Sequence, residues 1–249
     1  MPLNKFGIKA AFEDIFDAET ERRSQTEISH IVKLIENHKN GKMLVNVLDV
    51  PCGLGRHDKW LRKFGFRVEG IDIDQDFIRM ARKRNPKFKA NYRVGRMSKL
   101  PYKNGSFDAV LCLYSSFNIP GDKENSRVLG EFARVLGGGG LLVMDLQSKT
   151  GLEALKGKEF RTDLGNGTTK ITKVKVKGNY RVDDEILLDS KKRVIAKVKD
   201  KERLYTPKEL EALLAKGGFA VLSIKKAYSM SKLALKDKQM LIVAVKREI

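Results

Sequence analysis

Apolar positions along the first 150 residues switch repeatedly between helical and strand spacing. Ile28, Ile31, Val32 and Ile35 recur every three to four residues, as on one face of a helix. The run MLVNVLDV from Met43 is short and continuously apolar, the pattern of a strand buried on both faces, and it stops at a glycine loop. A helix is expected next, from Arg56 to about Phe64. FRVEGID predicts a second strand ending at Asp72, and Asp74 is placed to cap a helix with Phe77, Met80 and Ala81 on its inner face. NYRVGRM and then FDAVLCLY from Phe107 read as further strands. Asp122 should cap a helix carrying Leu129, Phe132 and Leu136, which closes in Gly137 to Gly140 before the strand LLVMD.

This β-α-β-α order predicts an α/β fold: a doubly wound parallel sheet with helices on both faces and right-handed crossovers. Such sheets bind ligands at the carboxyl ends of their strands. Asp49, Asp72, Leu113 and Asp145 all fall at those ends, so they are expected to share one pocket. From 160 to about 204 the pattern changes. KVKVK and RVIAKVK alternate apolar and basic residues, which predicts antiparallel strands with one wet, positive face. Thr206-Pro207-Lys208-Glu209 then combines an N-cap, a first-turn proline and a capping-box glutamate. The helix it starts should bury Leu210, Leu213 and Leu214 and stop at Gly217 and Gly218, before two last strands near FAVLSIKKAY and QMLIVAVK.

At 249 residues with 41% apolar and 33% charged positions, the chain fits one globular domain rather than disorder. It reads as an N-terminal helical segment (1–42), a ligand-binding half (43–159), an inserted antiparallel segment (160–204) and a closing helix with two strands (205–249). No run approaches the ~18 apolar residues that cross a bilayer. The opening MPLNKFGIKAAFEDIFD carries acids where a secretory leader carries an apolar stretch, so a cytoplasmic protein with no membrane partner is expected. Cys52 and Cys112, the two cysteines, make neither a disulfide scaffold nor a zinc site, and no metal is expected. The formal net charge is +19. The first 48 residues are balanced and the excess spreads over the rest, which predicts attraction to anionic partners without specifying chemistry.

The glycine loop narrows the ligand. Asp49-Val50-Pro51-Cys52-Gly53-Leu54-Gly55-Arg56-His57 joins a strand to a helix, where backbone N–H groups can point at a nucleotide-like ligand. A dinucleotide fingerprint would need a third glycine where Asp58 stands, and a P-loop would end in Gly-Lys-Ser/Thr. Neither fits. Asp49 suits a ligand with a cationic group, and Asp72 at the end of the next strand can accept hydrogen bonds from a ribose.

These motifs resemble the class I S-adenosylmethionine-dependent methyltransferases, particularly a small prokaryotic and archaeal group with a DxPCGxGRH loop. The likeness runs through VLDVPCGLGRH, VEGIDID, VGRMSKLPYKNGSFDAVLCLYSSF and EFARVLGGGGLLVMD, and resumes at RLYTPKELEALLAKGGF. It implies a Rossmann-like, mostly parallel seven-stranded sheet and the cofactor S-adenosyl-L-methionine, with S-adenosyl-L-homocysteine as product. By resemblance, Asp49, Pro51, Cys52, Gly53 and Gly55 hold the methionine part and Asp72 the ribose. Ile73 and Met97 would pack against adenine, and Arg96 and Leu113 complete the expected cofactor-binding residues. Arg96 departs from the family, which usually has an acid there to accept from the adenine amine; a guanidinium cannot accept. Tyr114, Ser115, Ser116, Asn118 and Tyr205 are the candidates for orienting an acceptor.

Methyl transfer from a sulfonium needs chiefly an aligned nucleophile, so no dedicated base is assigned, and His57 reads as structural. The Asp/Asn-Pro-Pro-Tyr/Phe arrangement of many base-amino methyltransferases is absent after the fourth strand, and Cys52 inside the cofactor loop cannot be an attacking thiolate. A small-molecule acceptor is favoured. RNA is the alternative, with phosphates along Lys170, Lys173, Lys175, Lys177, Lys197 and Lys199, although aromatics for stacking bases are scarce there. A cofactor-binding protein without turnover is the third reading, supported only by Arg96.

Overall fold

The computed structural model describes residues 18–39, 41, 43–118, 122–164 and 167–248. The opening segment and the Asp122 side chain lie outside that description. Strands β1 (Asn46–Asp49), β2 (Arg67–Asp72), β3 (Tyr92–Val94), β4 (Phe107–Cys112) and β5 (Leu136–Gln147) join β10 (Phe219–Lys226) and β11 (Gln239–Lys246) in one seven-stranded sheet. The order is β10-β11-β5-β4-β1-β2-β3. β1 to β5 pair in parallel, and β11 runs antiparallel between β5 and β10. The fold is α/β and Rossmann-like.

Strand periodicity explains the two-faced core. In β4, Ala109 and Leu111 point to one face while Val110 and Cys112 point to the other; Leu141 and Val143 alternate likewise with Leu142 and Met144 in β5. The first face is covered by α1 (Ala18–His38) through Ile28, Ile31, Leu34 and Ile35, and by Leu61 of α2 (Asp58–Lys63). The second is covered by Leu129 and Phe132 of α4 (Asp122–Val135) and by Leu210 and Leu214 of α5 (Pro207–Lys216). The helix α3 (Gln75–Arg84) packs at the β3 edge, where Ile78 and Ala81 meet Cys52 and Tyr92. Burying one such aliphatic side chain contributes ~1.5–3 kcal/mol, so these faces dominate the stability of the sheet.

Several boundaries differ from the sequence reading. The strand expected from Met43 starts at Asn46, with Met43 exposed. The helix expected from Arg56 starts at Asp58. Asp74 does cap α3, accepting from the Asp76 N–H at 2.8 Å, but Ile78 rather than Phe77 joins Met80 and Ala81 inside. Two adjacent apolar residues leave the helix phase ambiguous by one position. Leu136 and Gly137 to Gly140 belong to β5, because pairing with β4 overrides their poor strand propensity.

The insert forms a second, antiparallel sheet: β6 (Glu159–Asp163), β7 (Thr169–Lys177), β8 (Tyr180–Leu188) and β9 (Val194–Arg203). Its apolar face, including Val174 and Val176, packs on Leu152, Leu155 and Leu204. The chain then returns to the main sheet through the capping box, in which Thr206 Oγ1 accepts from the Glu209 N–H at 3.2 Å and Glu209 Oε2 accepts from the Thr206 N–H at 2.9 Å. Thr206→Ala should therefore cost about 1 kcal/mol, read as a lower urea midpoint with an unchanged slope. No loss would show that the cap is redundant with the packing of Leu210 and Leu214.

Candidate functional site

The carboxyl ends of β1, β2, β4 and β5 meet in one region, and most sequence-predicted residues fall there. The loop after β1 turns back through Gly53 and Gly55, with φ of +52° and +67°. A side chain at either position would be strained, and at Gly55 a Cβ would also stand 2.7 Å from the Tyr92 hydroxyl. At Gly53 the space beside the backbone is open. The loop is pinned by the Cys52 N–H donating to Ile71 O at 2.8 Å. Asp72 holds it too: Oδ2 accepts the Gly53 N–H at 2.9 Å and Oδ1 the Asp74 N–H at 2.8 Å. Each oxygen keeps acceptor capacity. Burial raises the Asp72 pKa, with those N–H groups pulling the other way.

Asp49 is 1% exposed, and neither carboxylate oxygen finds a hydrogen-bond partner among the described residues. Burial, then the neighbouring Asp58 carboxyl, pushes it well above the usual carboxylate range. Asp58, read from sequence as a missing glycine, is itself fully buried. Two acids enclosed side by side favour a cation beside them. Ile73 is 57% exposed at the end of β2, an apolar side chain free to cover a ring. Met97 is half-buried with its sulfur 3.9 Å from Cys112 Sγ, Leu113 is buried, and Arg96 is exposed. Burial raises both thiols, so neither cysteine is a thiolate nucleophile.

The hub of this region lies on α1, where sequence reasoning placed only a packing helix. Glu27, 3% exposed, takes His57 Nε2 at 2.9 Å, Arg56 Nη1 at 2.9 Å, Arg23 Nε at 2.9 Å and the Tyr114 hydroxyl at 2.6 Å. Burial would raise its pKa, but His57 and then Arg56 bring it down to about 2. Burial lowers His57 to about 4 despite Glu27, so the imidazole is neutral and its Nε2–H donates. Arg56 also reaches Ser24 Oγ at 2.7 Å and lies 4.2 Å from the Tyr114 ring centroid. Thus α1, the loop after β1 and the loop after β4 are tied to one carboxylate.

The loop after β4 is bent by positive φ at Tyr114 and Ser115. Asp145 of β5 holds it, its carboxylate accepting the Tyr114 N–H and its carbonyl the Ser115 N–H at 3.1 Å. The Ser115 hydroxyl, the Asn118 side-chain amide and Asp145 Oδ2 are buried without a partner among the described residues. Ser116 is bonded back to Leu113 O at 2.7 Å. Tyr205, an acceptor candidate from sequence, packs in the core at 2% exposure and takes a hydrogen bond from the Asn125 side chain, so it is not an open wall of the crevice.

Residues 48–144 match the family model described as a methyltransferase domain. Over these residues the chain is similar to methyltransferase domains. "Methyltransferase GfsG" of Streptomyces halstedii is 33% identical over 103 residues, 39% of this chain and 36% of that protein. The dTDP-3-amino-3,6-dideoxy-alpha-D-glucopyranose N,N-dimethyltransferase of Streptomyces fradiae is 29% identical over 120 residues, 48% of this chain and 45% of that one. The chain therefore spans less than half the length of these curated relatives. Among solved structures, an S-adenosylmethionine-dependent methyltransferase from Clostridium acetobutylicum superposes with a TM-score of 0.77 at 17% identity, covering 98% of this chain and 100% of that one. This likeness shows the fold of the main sheet and of the appended sheet together. The finer likeness to a DxPCGxGRH group is not carried by these comparisons.

Two buried groups give the protein opposite pH responses. Burial raises Asp145 to about 7, so the folded protein keeps a proton there that the unfolded chain has lost. Its contribution is full below about pH 4 and disappears as pH rises to about 7. His57, lowered to about 4, contributes above about pH 6.5 and is lost as pH falls. In Asp145→Asn the decline between about pH 4 and about pH 7 should vanish, so the variant gains stability relative to the parent as pH rises. Urea unfolding at several pH values reads this difference, and parallel curves would show that Asp145 titrates as an ordinary surface acid.

Proposed function

We propose that this protein is a methyltransferase, which binds S-adenosylmethionine at the carboxyl ends of β1 and β2 and transfers its methyl group to a small-molecule acceptor lying against the loop after β4. The observation that carries the cofactor reading is the pair of unpartnered Asp49 oxygens beside the open backbone at Gly53, one strand from Asp72. Asp49 and the Gly53–Gly55 backbone would take the cationic methionine end, Asp72 the ribose hydroxyls, and Ile73 and Met97 the adenine. When bound, the cofactor supplies an electrophilic methyl on a sulfonium, already activated for in-line displacement.

The protein's own work is alignment. Arg56, His57 and Tyr114 are locked to Glu27, so the loop beneath the cofactor and the loop beneath the acceptor hold a fixed relation. Fixing two reactants in this way can remove ~7–11 kcal/mol of barrier. The unpartnered Ser115 hydroxyl and Asn118 amide would orient a polar acceptor, recovering part of the ~1–3 kcal/mol each costs when buried unsatisfied. Arg96, exposed on the loop after β3, would lie at the rim without accepting from adenine.

Support for a small acceptor comes from the amino-sugar relative and from the insert itself. Lys170 pairs with Glu185 at 3.0 Å, Lys173 with Glu159 at 3.4 Å, and Lys175 and Lys199 both with Asp184. Acids on neighbouring strands thus answer four of the six lysines that the RNA reading would leave for phosphates, all but Lys177 and Lys197. Methyl transfer from tritiated cofactor into a fractionated cell extract should label the small-molecule fraction, whereas label confined to RNA would overturn this assignment. Asp72→Ala should weaken cofactor binding roughly 100-fold or more in calorimetry, since two charge-assisted hydrogen bonds are each worth about 1.5–3 kcal/mol. Unchanged affinity would remove Asp72 from the site.

A further inference from the structure

A cavity of about 590 Å³ opens at the other end of the sheet, among the amino ends of the parallel strands. Asn46 opens β1, Arg67 opens β2 and Phe107 opens β4, and all three line it. The length of the strands separates this cavity from Asp49 and Asp72; β1 alone spans roughly 10 Å at about 3.3 Å per residue.

Three guanidinium groups line it, those of Arg62, Arg67 and Arg93, against one carboxylate, Glu69. Glu69 is already satisfied. Its Oε1 accepts from Asn91 Nδ2 at 3.0 Å, and its Oε2 accepts from the Tyr102 hydroxyl at 3.2 Å and lies 3.6 Å from Arg93 Nε. Arg62 is fixed by bonds to the Tyr92 hydroxyl at 3.1 Å and Val68 O at 2.9 Å. Arg67 is exposed, and its guanidinium makes no hydrogen bond or ion pair among the described residues. The lining also offers aromatic faces. Phe88 is 41% exposed with Arg62 4.3 Å from its ring centroid, and Tyr102 is braced edge-on by Phe107 at 4.8 Å.

An uncommitted arginine sharing a cavity with Arg62 and Arg93 is suited to phosphate, which guanidinium binds through paired, charge-assisted hydrogen bonds. The partly exposed Phe88 ring, with Arg62 against it, suits a flat aromatic base that can stack on ring or guanidinium, and the volume falls within the usual range for small ligands. The net charge of +19 would draw such an anion to the protein. We propose that this cavity is a second ligand site, taking a nucleoside monophosphate on the side of the sheet opposite the cofactor crevice.

Calorimetric titration of the full chain with adenosine monophosphate tests this, with inorganic phosphate and adenosine in separate arms. The nucleotide should bind about tenfold or more tightly than either fragment. Arg67→Glu should weaken it about tenfold or more, Arg67→Lys should weaken it less, and Asp72→Ala should leave it unchanged. Because Arg67 is exposed, both of its variants should keep the parent's thermal midpoint, and the lysine variant decides the matter if the glutamate variant does not fold. Absence of nucleotide binding at millimolar concentration overturns the proposal, as does phosphate binding equally well alone. Loss of binding in Asp72→Ala with retention in Arg67→Glu would put the nucleotide in the cofactor crevice and overturn it too.

Discussion

The Glu27 carboxylate is the constraint on which the geometry of the crevice depends. It is buried, ionised, and shared by donors from three separate stretches of chain. An isolated carboxylate in that position would be costly, and a lone arginine or a charged imidazole nearly as much. Together they compensate: Arg56 and Arg23 supply the positive charge, while His57 and Tyr114 donate as neutral groups. Removing Arg56 would leave the buried charge poorly compensated, and removing His57 or Tyr114 would take away a hydrogen bond that the carboxylate uses. The consequence is positional, since a helix with no other evident part in the crevice holds both loops that the proposed reaction would use.

Around that hub the charge distribution is inverted relative to the protein as a whole. The surface is strongly basic, yet Asp49, Asp58, Asp72 and Asp145 are all buried near the carboxyl ends of the parallel strands. Acids enclosed in this way rise in pKa and become good hosts for a cation, which is the character of a sulfonium nucleoside with a free ammonium. Lys170, Lys173, Lys175 and Lys199 of the insert are matched by acids from adjacent strands, so much of its alternating pattern serves the second sheet before any partner. The excess positive charge at the amino ends of the strands is a different environment, with three guanidinium groups and aromatic rings against the single carboxylate of Glu69.

Much of the fold was readable because period-two and period-3.6 patterns follow directly from burial on two faces. The strand ends at Asp49 and Asp72 and the capping box at Thr206 depend on local chemistry, and they appear where that chemistry puts them. What could not be read depends on distance. Glu27 shows no local signal, since its partners lie 29 to 87 positions away in the chain, apart from Arg23 one turn before it. Asp58 reads locally as a departure from a glycine fingerprint, and only the fold reveals it as a second acid beside Asp49. Tyr205 looks like a crevice residue from its place before α5, but the same position turns it into the core against Phe117 and Asn125. The phase error at Phe77 and Ile78 has a simpler cause, two apolar neighbours of which a helix can bury only one fully.

A crystal structure of the protein with S-adenosylmethionine tests the central claim most directly. The account predicts the methionine end over Gly53 with its cation facing Asp49, the ribose hydroxyls on Asp72, and the Glu27 cluster unchanged beneath them. A cofactor bound elsewhere, or one whose entry breaks the Glu27 bonds to Arg56 and Tyr114, would contradict it.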